Sequence, residues 1–347
     1  MTLQKLSSTD AFVVIDLDGA PATGVVRAAP KILQGGAEDM ARSLTYAFAA
    51  HGFRRGGASA GINATPETLR DAVAAFVAEL LPQVADGTLA IEAAKGVDPA
   101  ALAELTGADD RSDLATAMVD VDGVGEITLA THLAGLGPVV AAAKALDGLD
   151  AKRVVIEGFG DAGAALAAAA VVRGATVVAV STAKGAMVDE SGLDPAALAS
   201  AWAESGDAMV GDGADPAWKV LATPADVLFC GSKMGAINHQ SAERLKVAAV
   251  VPHAPLPYTA KALAVMGRAG IVAVADFIPT GAPMHAWYPE SATSPDAVIA
   301  AATTSVEAAL DHALGHEHGP FLGACMRAEE FLGTWRDSLP FGRPLAS

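Results

Sequence analysis

"RVVIEGFGDAGAALAAAAVVRGATVVAVSTAKG", residues 153 to 185, decides the fold. A short Val/Ile run leads into Gly158-x-Gly160-x-x-Gly163, an alanine-rich stretch of helical length follows, and a second Val-rich run spans Thr176 to Val180. Apolar run, glycines and alanines in that order predict strand, tight turn and helix. The first glycine of such a turn allows the tight bend, the second lets a pyrophosphate approach the backbone, and the third brings helix against strand. The helix N-terminus adds N–H groups and the positive end of its dipole. GxGxxG alone carries little information, but between a strand and a helix, with a second strand at the expected distance, it marks a dinucleotide-binding turn. We therefore assign Gly158, Gly160, Asp161, Ala162 and Gly163 to the cofactor. The competing reading is an Ala/Gly-rich packing turn.

The end of the second strand bears on which dinucleotide binds. NAD-specific sites of this kind usually place Asp or Glu there to accept from the ribose 2′-OH. This chain has Ser181-Thr182-Ala183-Lys184 instead. No carboxylate in that stretch repels a 2′-phosphate, and hydroxyls and an ammonium can bind one, so Thr182 and Lys184 are placed near the adenosine ribose and the balance favours NADP over NAD.

Further strands are expected at "ADVLFCG" (225 to 231), "VAAVVPH" (247 to 253) and "GIVAVAD" (270 to 276). Strands alternating with helices from Lys152 onward predict a mostly parallel sheet. Upstream, "AFVVIDLDG" (11 to 19) reads as a strand and "EDMARSLTYAFAAHG" (38 to 52) as a helix stopped by glycine. A helix is expected from "TPETLRDAV" to about Leu81, then a short strand and turn in "GTLAIEAAKGVD". Residues 104 to 129 read as acidic and irregular, and "GPVVAAAKALDGLDA" as a helix that starts at Pro138 and links two domains. The expected fold class is α/β in two domains. Residues 1–135 form an N-terminal substrate and oligomerisation domain and 150–290 a Rossmann-like dinucleotide-binding domain. Residues 294–347 form a C-terminal helical segment whose helix, from about Ser294 to Leu314, returns to the first domain.

Composition narrows the partners. A length of 347 residues exceeds one ordinary core, and an apolar fraction of 52%, mostly alanine and valine, fits Ala-packed helices and buried Val strands. No apolar run is long enough to span a bilayer. The first ten residues lack a secretory pattern, and the two cysteines, Cys230 and Cys325, make no disulfide framework, so a cytoplasmic location is expected. A net charge of −17 opposes nucleic-acid or anionic-membrane partners.

"GFRRGGASAG", residues 52 to 61, reads as a glycine-rich active-site loop with no nucleophile-and-base pair. Arg54, Arg55, Gly56 and Gly57 are its candidate substrate-binding residues, because arginine holds carboxylate or phosphate bidentately. Solvated surface arginines are the alternative. His51 precedes the loop at a helix end, where a capping role fits. "DHALGHEHG" (311 to 319) spaces His312 and His316 four apart, but no third ligand is evident, and no metal is expected. Cys230, ending a buried strand, reads as a small core residue.

Taken together, "VVIEGFGDAGAALA", "VVAVSTAKGAMVDESGLDP", "ADVLFCGSKMGAIN" and "GIVAVADFIPTGA" resemble the cofactor domain of the glutamate/leucine/phenylalanine/valine dehydrogenase family. "TGVVRAAP" and "SLTYAFAAHGFRRGGASAGI" are similar to its substrate domain. The resemblance implies an NAD(P)-dependent oxidoreductase that assembles as a homo-oligomer and binds a dinucleotide and a small molecule. It also implies departures. The lysine of the family's M-T-x-K helix falls on Ala47, the catalytic lysine of G-G-x-K on Ser59, and the catalytic aspartate on Ala94. The asparagine of the "EGAN" loop falls on Pro255, and the threonine of "TGYG" on Ala134. Oxidative deamination needs a lysine to activate water and a carboxylate to move protons, which serine and alanine do not supply. In members of the family Lys95, His253, Tyr258 and His285 would lie in loops facing the cleft, so Ser59, Lys95, His253 and Tyr258 are the candidate catalytic residues. The expected function is oxidoreduction of a small molecule other than an ordinary α-amino acid. The alternative is a catalytically inactive relative that binds a dinucleotide or other ligand, or has a structural or regulatory role.

Overall fold

Residues 56–61, expected within a loop, belong to a central strand of the first sheet that runs from Gly56 to Asn63, and every residue of it but the last is buried. The structure, a computed structural model, describes residues 1–211 and 214–346. It divides into two units, one of residues 1–111 and 328–345 and one of residues 112–327 with Ala346.

In the first unit β1 (Thr2–Lys5), β2 (Ala11–Ile15), β3 (Ala22–Ala29), β4 (Gly56–Asn63) and β5 (Leu89–Ala93) form a sheet in the order β1-β2-β4-β3-β5. β3 runs parallel to β4 and β5, whereas β2 is antiparallel to β1 and β4. Side chains alternate across a strand, so each face has its own residue set. Val13, Val26, Ala58, Ala60, Ile62, Leu89 and Ile91 meet Val73, Phe76 and Leu80 of α2 (Leu69–Ala85), with Leu105 of the short α3 (Ala103–Thr106) in the same core. Phe12 and Val14 face the other way, onto Ala37 and Ala41 of α1 (Gln34–Ala50). Gly57 and Gly61 of β4 serve this second face. A Cβ on Gly57 would lie 2.0 Å from Ala41 O, and one on Gly61 would lie 2.7 Å from Ile32 Cγ2. They are packing glycines in a strand. α2 also differs from expectation, continuing through Pro82 to Ala85 rather than stopping near Leu81.

The second unit opens with a hairpin, β6 (Met118–Val121) and β7 (Gly125–Thr128), in the stretch expected to be irregular. α4 (Leu129–Ala145) starts at the Thr128 cap, nine residues before the expected Pro138, which lies inside the helix. It does not act as a linker; it lies within this unit on α5 (Asp161–Val172) and α10 (Pro295–Leu314). Gly135 permits the α5 contact, since a Cβ there would sit 2.5 Å from Leu166 N.

The second sheet contains β8 (Arg153–Glu157), β9 (Thr176–Thr182), β10 (Gly185–Val188), β11 (Val227–Cys230), β12 (Ala249–Pro252) and β13 (Val272–Ala273). Their order is β10-β9-β8-β11-β12-β13, parallel except for β10. The strand order reverses between β8 and β11, which opens a crevice at their carboxyl ends. Central strands buried on both faces explain the continuous Val/Ile runs. α6 (Pro195–Ser205), α7 (His239–Ala242), α8 (Ala260–Arg268) and α9 (Met284–Trp287) complete the unit. The helix expected to return to the first domain, α10, belongs to the second unit; the chain re-enters the first within α11 (Pro320–Gly333), from Ala328. Among the described residues no helix is long and apolar enough to cross a membrane.

Candidate functional site

The glycine turn lies between β8 and α5, beside the point where strand order reverses. Gly158 has φ +87°, and a Cβ there would lie 2.4 Å from Ser232 N, so both conformation and space require glycine. The amides of Gly158 and Phe159 donate to Ser181 O at 3.2 and 2.7 Å, which fastens the turn to β9. Gly160 caps α5 in an extended conformation without a side-chain hydrogen bond. A Cβ on it would meet nothing nearer than Trp202 Cζ2 at 3.9 Å. The first amides of α5 have no acceptor within the helix, and the space beside them is open. That is the cradle a pyrophosphate requires, so the residues present fit a dinucleotide. Gly163 works differently from expectation: its missing Cβ makes room for the Phe159 ring, whose nearest atoms would be 3.1 Å away.

Asp161 is only partly available to such a ligand. Its carboxylate accepts from Trp202 Nε1 at 2.6 Å, while the indole meets Phe159 edge to face at 6.0 Å. The backbone amides of Asp161 and Ala162 remain as the first-turn donors. A cavity of about 660 Å³ opens beside this aspartate, bounded also by Met118, Ile127, Thr128, Ala164 and Trp202.

The end of β9 also differs from the sequence reading. Thr182 is buried, its hydroxyl donates to Asp207 O at 2.7 Å, and Thr182 Oγ1 accepts from Lys184 N at 3.2 Å. Ala183 N donates to Asp207 Oδ1 at 3.2 Å. Thr182 therefore organises the strand end rather than offering its hydroxyl to a ligand. Asp207 brings a carboxylate to a position where the sequence of β9 has none. Lys184 is exposed.

A buried polar cluster that sequence reasoning missed joins the strand ends. Glu157 Oε2 accepts from the amides of Gly231 and Ser232, each at 3.1 Å, and Oε1 accepts from the Ser232 hydroxyl. The Glu157 backbone oxygen lies 2.9 Å from His253 Nε2. Burial lowers the His253 pKa, which keeps the ring neutral and makes Nε2 the donor. The only local signal was an acidic residue ending a buried strand just before the glycine turn. Tyr258 is fully buried and donates its hydroxyl to Val250 O at 3.0 Å. Burial pushes the Tyr258 phenol and the Cys230 thiol well above their ordinary ranges. Tyr258 thus holds the sheet together and presents no acid or base to a ligand, while His253 commits Nε2 to the β8 backbone. Leu256, with φ +57°, is held in the intervening loop by donation of its amide to Asp276 Oδ2 at 2.8 Å.

The remaining candidates belong to the first unit. Ser59 is fully buried on the α1 face of β4, 3.4 Å from an Arg27 Nη. Ala47 is buried, and Ala94 donates its amide to Val26 O at 2.9 Å. Lys95 is exposed in the turn after β5. Arg55 forms a bidentate pair with Asp110, at 2.8 and 3.2 Å, and donates Nε to Thr23 Oγ1 at 3.1 Å. Its guanidinium serves the fold, whereas Arg54 is exposed. Gly56 and Gly57 are strand residues, and the missing Cβ of Gly57 is taken up by α1. The structure thus brings together the turn and the end of β9, and the proposed catalytic set is divided between the two units, Ser59 and Lys95 in the first and His253 and Tyr258 in the second.

Comparison with known proteins agrees with this geometry. Residues 125–281 match the Glutamate/Leucine/Phenylalanine/Valine dehydrogenase family. The glutamate dehydrogenase of Thermotoga maritima is 34% identical over 152 residues, 42% of this chain and 36% of that protein. That of Aeropyrum pernix is 27% identical over 141 residues, 40% and 34% of the two chains. These alignments span only about a third of either relative. The fold is similar over a greater length. A hetero-hexameric glutamate dehydrogenase from Thermus thermophilus superposes with a TM-score of 0.77 at 24% identity, covering 92% of this chain and 83% of that one. The L-tryptophan dehydrogenase of Nostoc punctiforme gives 0.64 at 16% identity, with coverage of 96% and 95%. Residues 125–281, which hold the glycine turn and all six strands of the second sheet, thus carry the likeness to the glutamate/leucine/phenylalanine/valine dehydrogenase family.

Proposed function

We propose that the protein binds NAD or NADP on the Gly158–Gly163 turn and works as an oxidoreductase on a small molecule other than an ordinary α-amino acid. The observation that carries this reading is the turn itself, with uncapped first-turn amides of α5 and open space at Gly160. When bound, the nicotinamide ring would supply hydride acceptance or donation. The chain's own contribution is to hold the pyrophosphate at the amides of Asp161 and Ala162. Ala47, Ser59 and Ala94 argue against amino-acid deamination, since none offers a base or an ammonium. Arg27 beside Ser59 supplies a cation on that face, which suits a substrate with an anionic group. As the family resemblance implies a homo-oligomer, the chain is expected to associate with copies of itself, and light scattering would then return a multiple of 34.8 kDa.

Titration calorimetry of the full chain with NAD and NADP tests the reading. We expect micromolar to submillimolar binding by at least one dinucleotide and its loss in Gly160→Val, with an unchanged circular dichroism spectrum because the new side chain enters open space. No heat from either dinucleotide at millimolar concentration would overturn it. The commitment of His253, Tyr258 and Arg55 to structural partners favours a second reading, a relative that binds the dinucleotide without turnover. Binding without reduction of the dinucleotide by any substrate screened would support that alternative.

A further inference from the structure

We propose that Asp207 sets the cofactor preference, making the site selective for the unphosphorylated adenosine ribose of NAD over the 2′-phosphorylated ribose of NADP. The inference rests on the dinucleotide reading above and reverses the preference that the sequence of β9 predicts. In a crevice of this topology the adenosine ribose lies at the end of the second strand, where an acidic side chain accepts from the 2′-OH. Here that strand is β9, and its end is fastened to the glycine turn through Ser181 O. The chain next reaches Thr182 and Ala183, and both are bonded to Asp207, at 2.7 Å through Thr182 Oγ1 and at 3.2 Å through Ala183 N. Asp207 follows α6, and its side chain is solvent-exposed. The acidic group usual in β9 itself has been replaced in space by one from 25 residues downstream of Thr182.

Two features of the strand end argue the same way. The groups that would bind a 2′-phosphate are already committed, the Thr182 hydroxyl to Asp207 O and the Ala183 amide to Asp207 Oδ1. A phosphate placed there would also meet a carboxylate, and like charges brought together at a binding surface oppose association. Lys184 offers a single ammonium against that. Its exposure leaves the charge hydrated and screened by salt.

Calorimetric affinities for NAD and NADP, measured on the full chain and on Asp207→Asn, test the proposal. Asparagine keeps an oxygen for the Ala183 amide and removes the charge, so the fold is retained. The native chain should bind NAD at least about tenfold more tightly than NADP, and Asp207→Asn should narrow that ratio by about tenfold, chiefly by improving NADP. Equal or tighter binding of NADP by the native chain, or a ratio unchanged by Asp207→Asn, would overturn the role of Asp207 while leaving dinucleotide binding intact. Failure of the native chain to bind either dinucleotide would overturn both readings.

Discussion

Glu157 shows how much one side chain can organise. A buried carboxylate is costly unless its oxygens are hydrogen-bonded, and this one takes three donors from Gly231 and Ser232. Replacing it by alanine strands those donors beside a cavity. Glu157→Ala should lose about 3 kcal/mol in denaturant unfolding, and Glu157→Gln, which keeps one acceptor, about half of that. A loss below about 0.5 kcal/mol would show that water satisfies the donors equally well. His285 carries a different prediction. Burial pushes its imidazole from 6.5 down to about 4. Between those values the unfolded chain binds a proton that the folded chain does not, so stability falls as pH drops from about 6.5 to about 4 and levels off below. The contribution is at most about 3 kcal/mol. Thermal melts of His285→Gln across that range should be flatter than those of the native protein by several degrees.

Among the elements, β4 was hardest to read from sequence, for a definable reason. GGASAGIN offers little apolar periodicity because α1 packs so closely on one face that only glycine and serine fit there. Small residues therefore look like a loop. Gly57→Val should cost about 3 kcal/mol or more, since its side chain would displace the α1 backbone at Ala41 O and Thr45 N. Gly52→Ala is the control. That glycine has φ +81° with nothing within 4 Å, so it should cost only about 1 kcal/mol of conformational strain. Equal losses in the two variants would remove the packing argument. The β6–β7 hairpin has a clearer local signal, Asp122-Gly123 between Val119, Val121 and Ile127.

For the whole molecule, the proposed function predicts no turnover of glutamate, leucine, phenylalanine or valine. Absorbance assays of NAD and NADP reduction near pH 9 should remain at the buffer rate with all four. Activity above it that disappears on heating would mean that another residue, such as the exposed Lys95, has assumed the role missing at Ser59. Losing an oriented acid or base typically lowers a rate by about 10²–10⁴, and the resemblance places serine or alanine at several such positions.

The sequence by itself determined the glycine turn, the α/β class and the likeness to the family, because each depends on neighbouring residues or on a periodic pattern along a single segment. Strand, glycines and helix occupy consecutive positions from Arg153 to Val172, and no distant partner is needed to define them. Tertiary structure decided what surrounds that turn. Glu157 finds Ser232 75 residues away, Thr182 finds Asp207 25 residues away, and Ser59 finds Arg27 across a strand pair. Tyr258, readable from sequence as a catalytic hydroxyl, donates instead to the backbone of β12. A side chain's chemistry depends on its desolvation and hydrogen-bond partners, and those are set when separate segments are brought side by side.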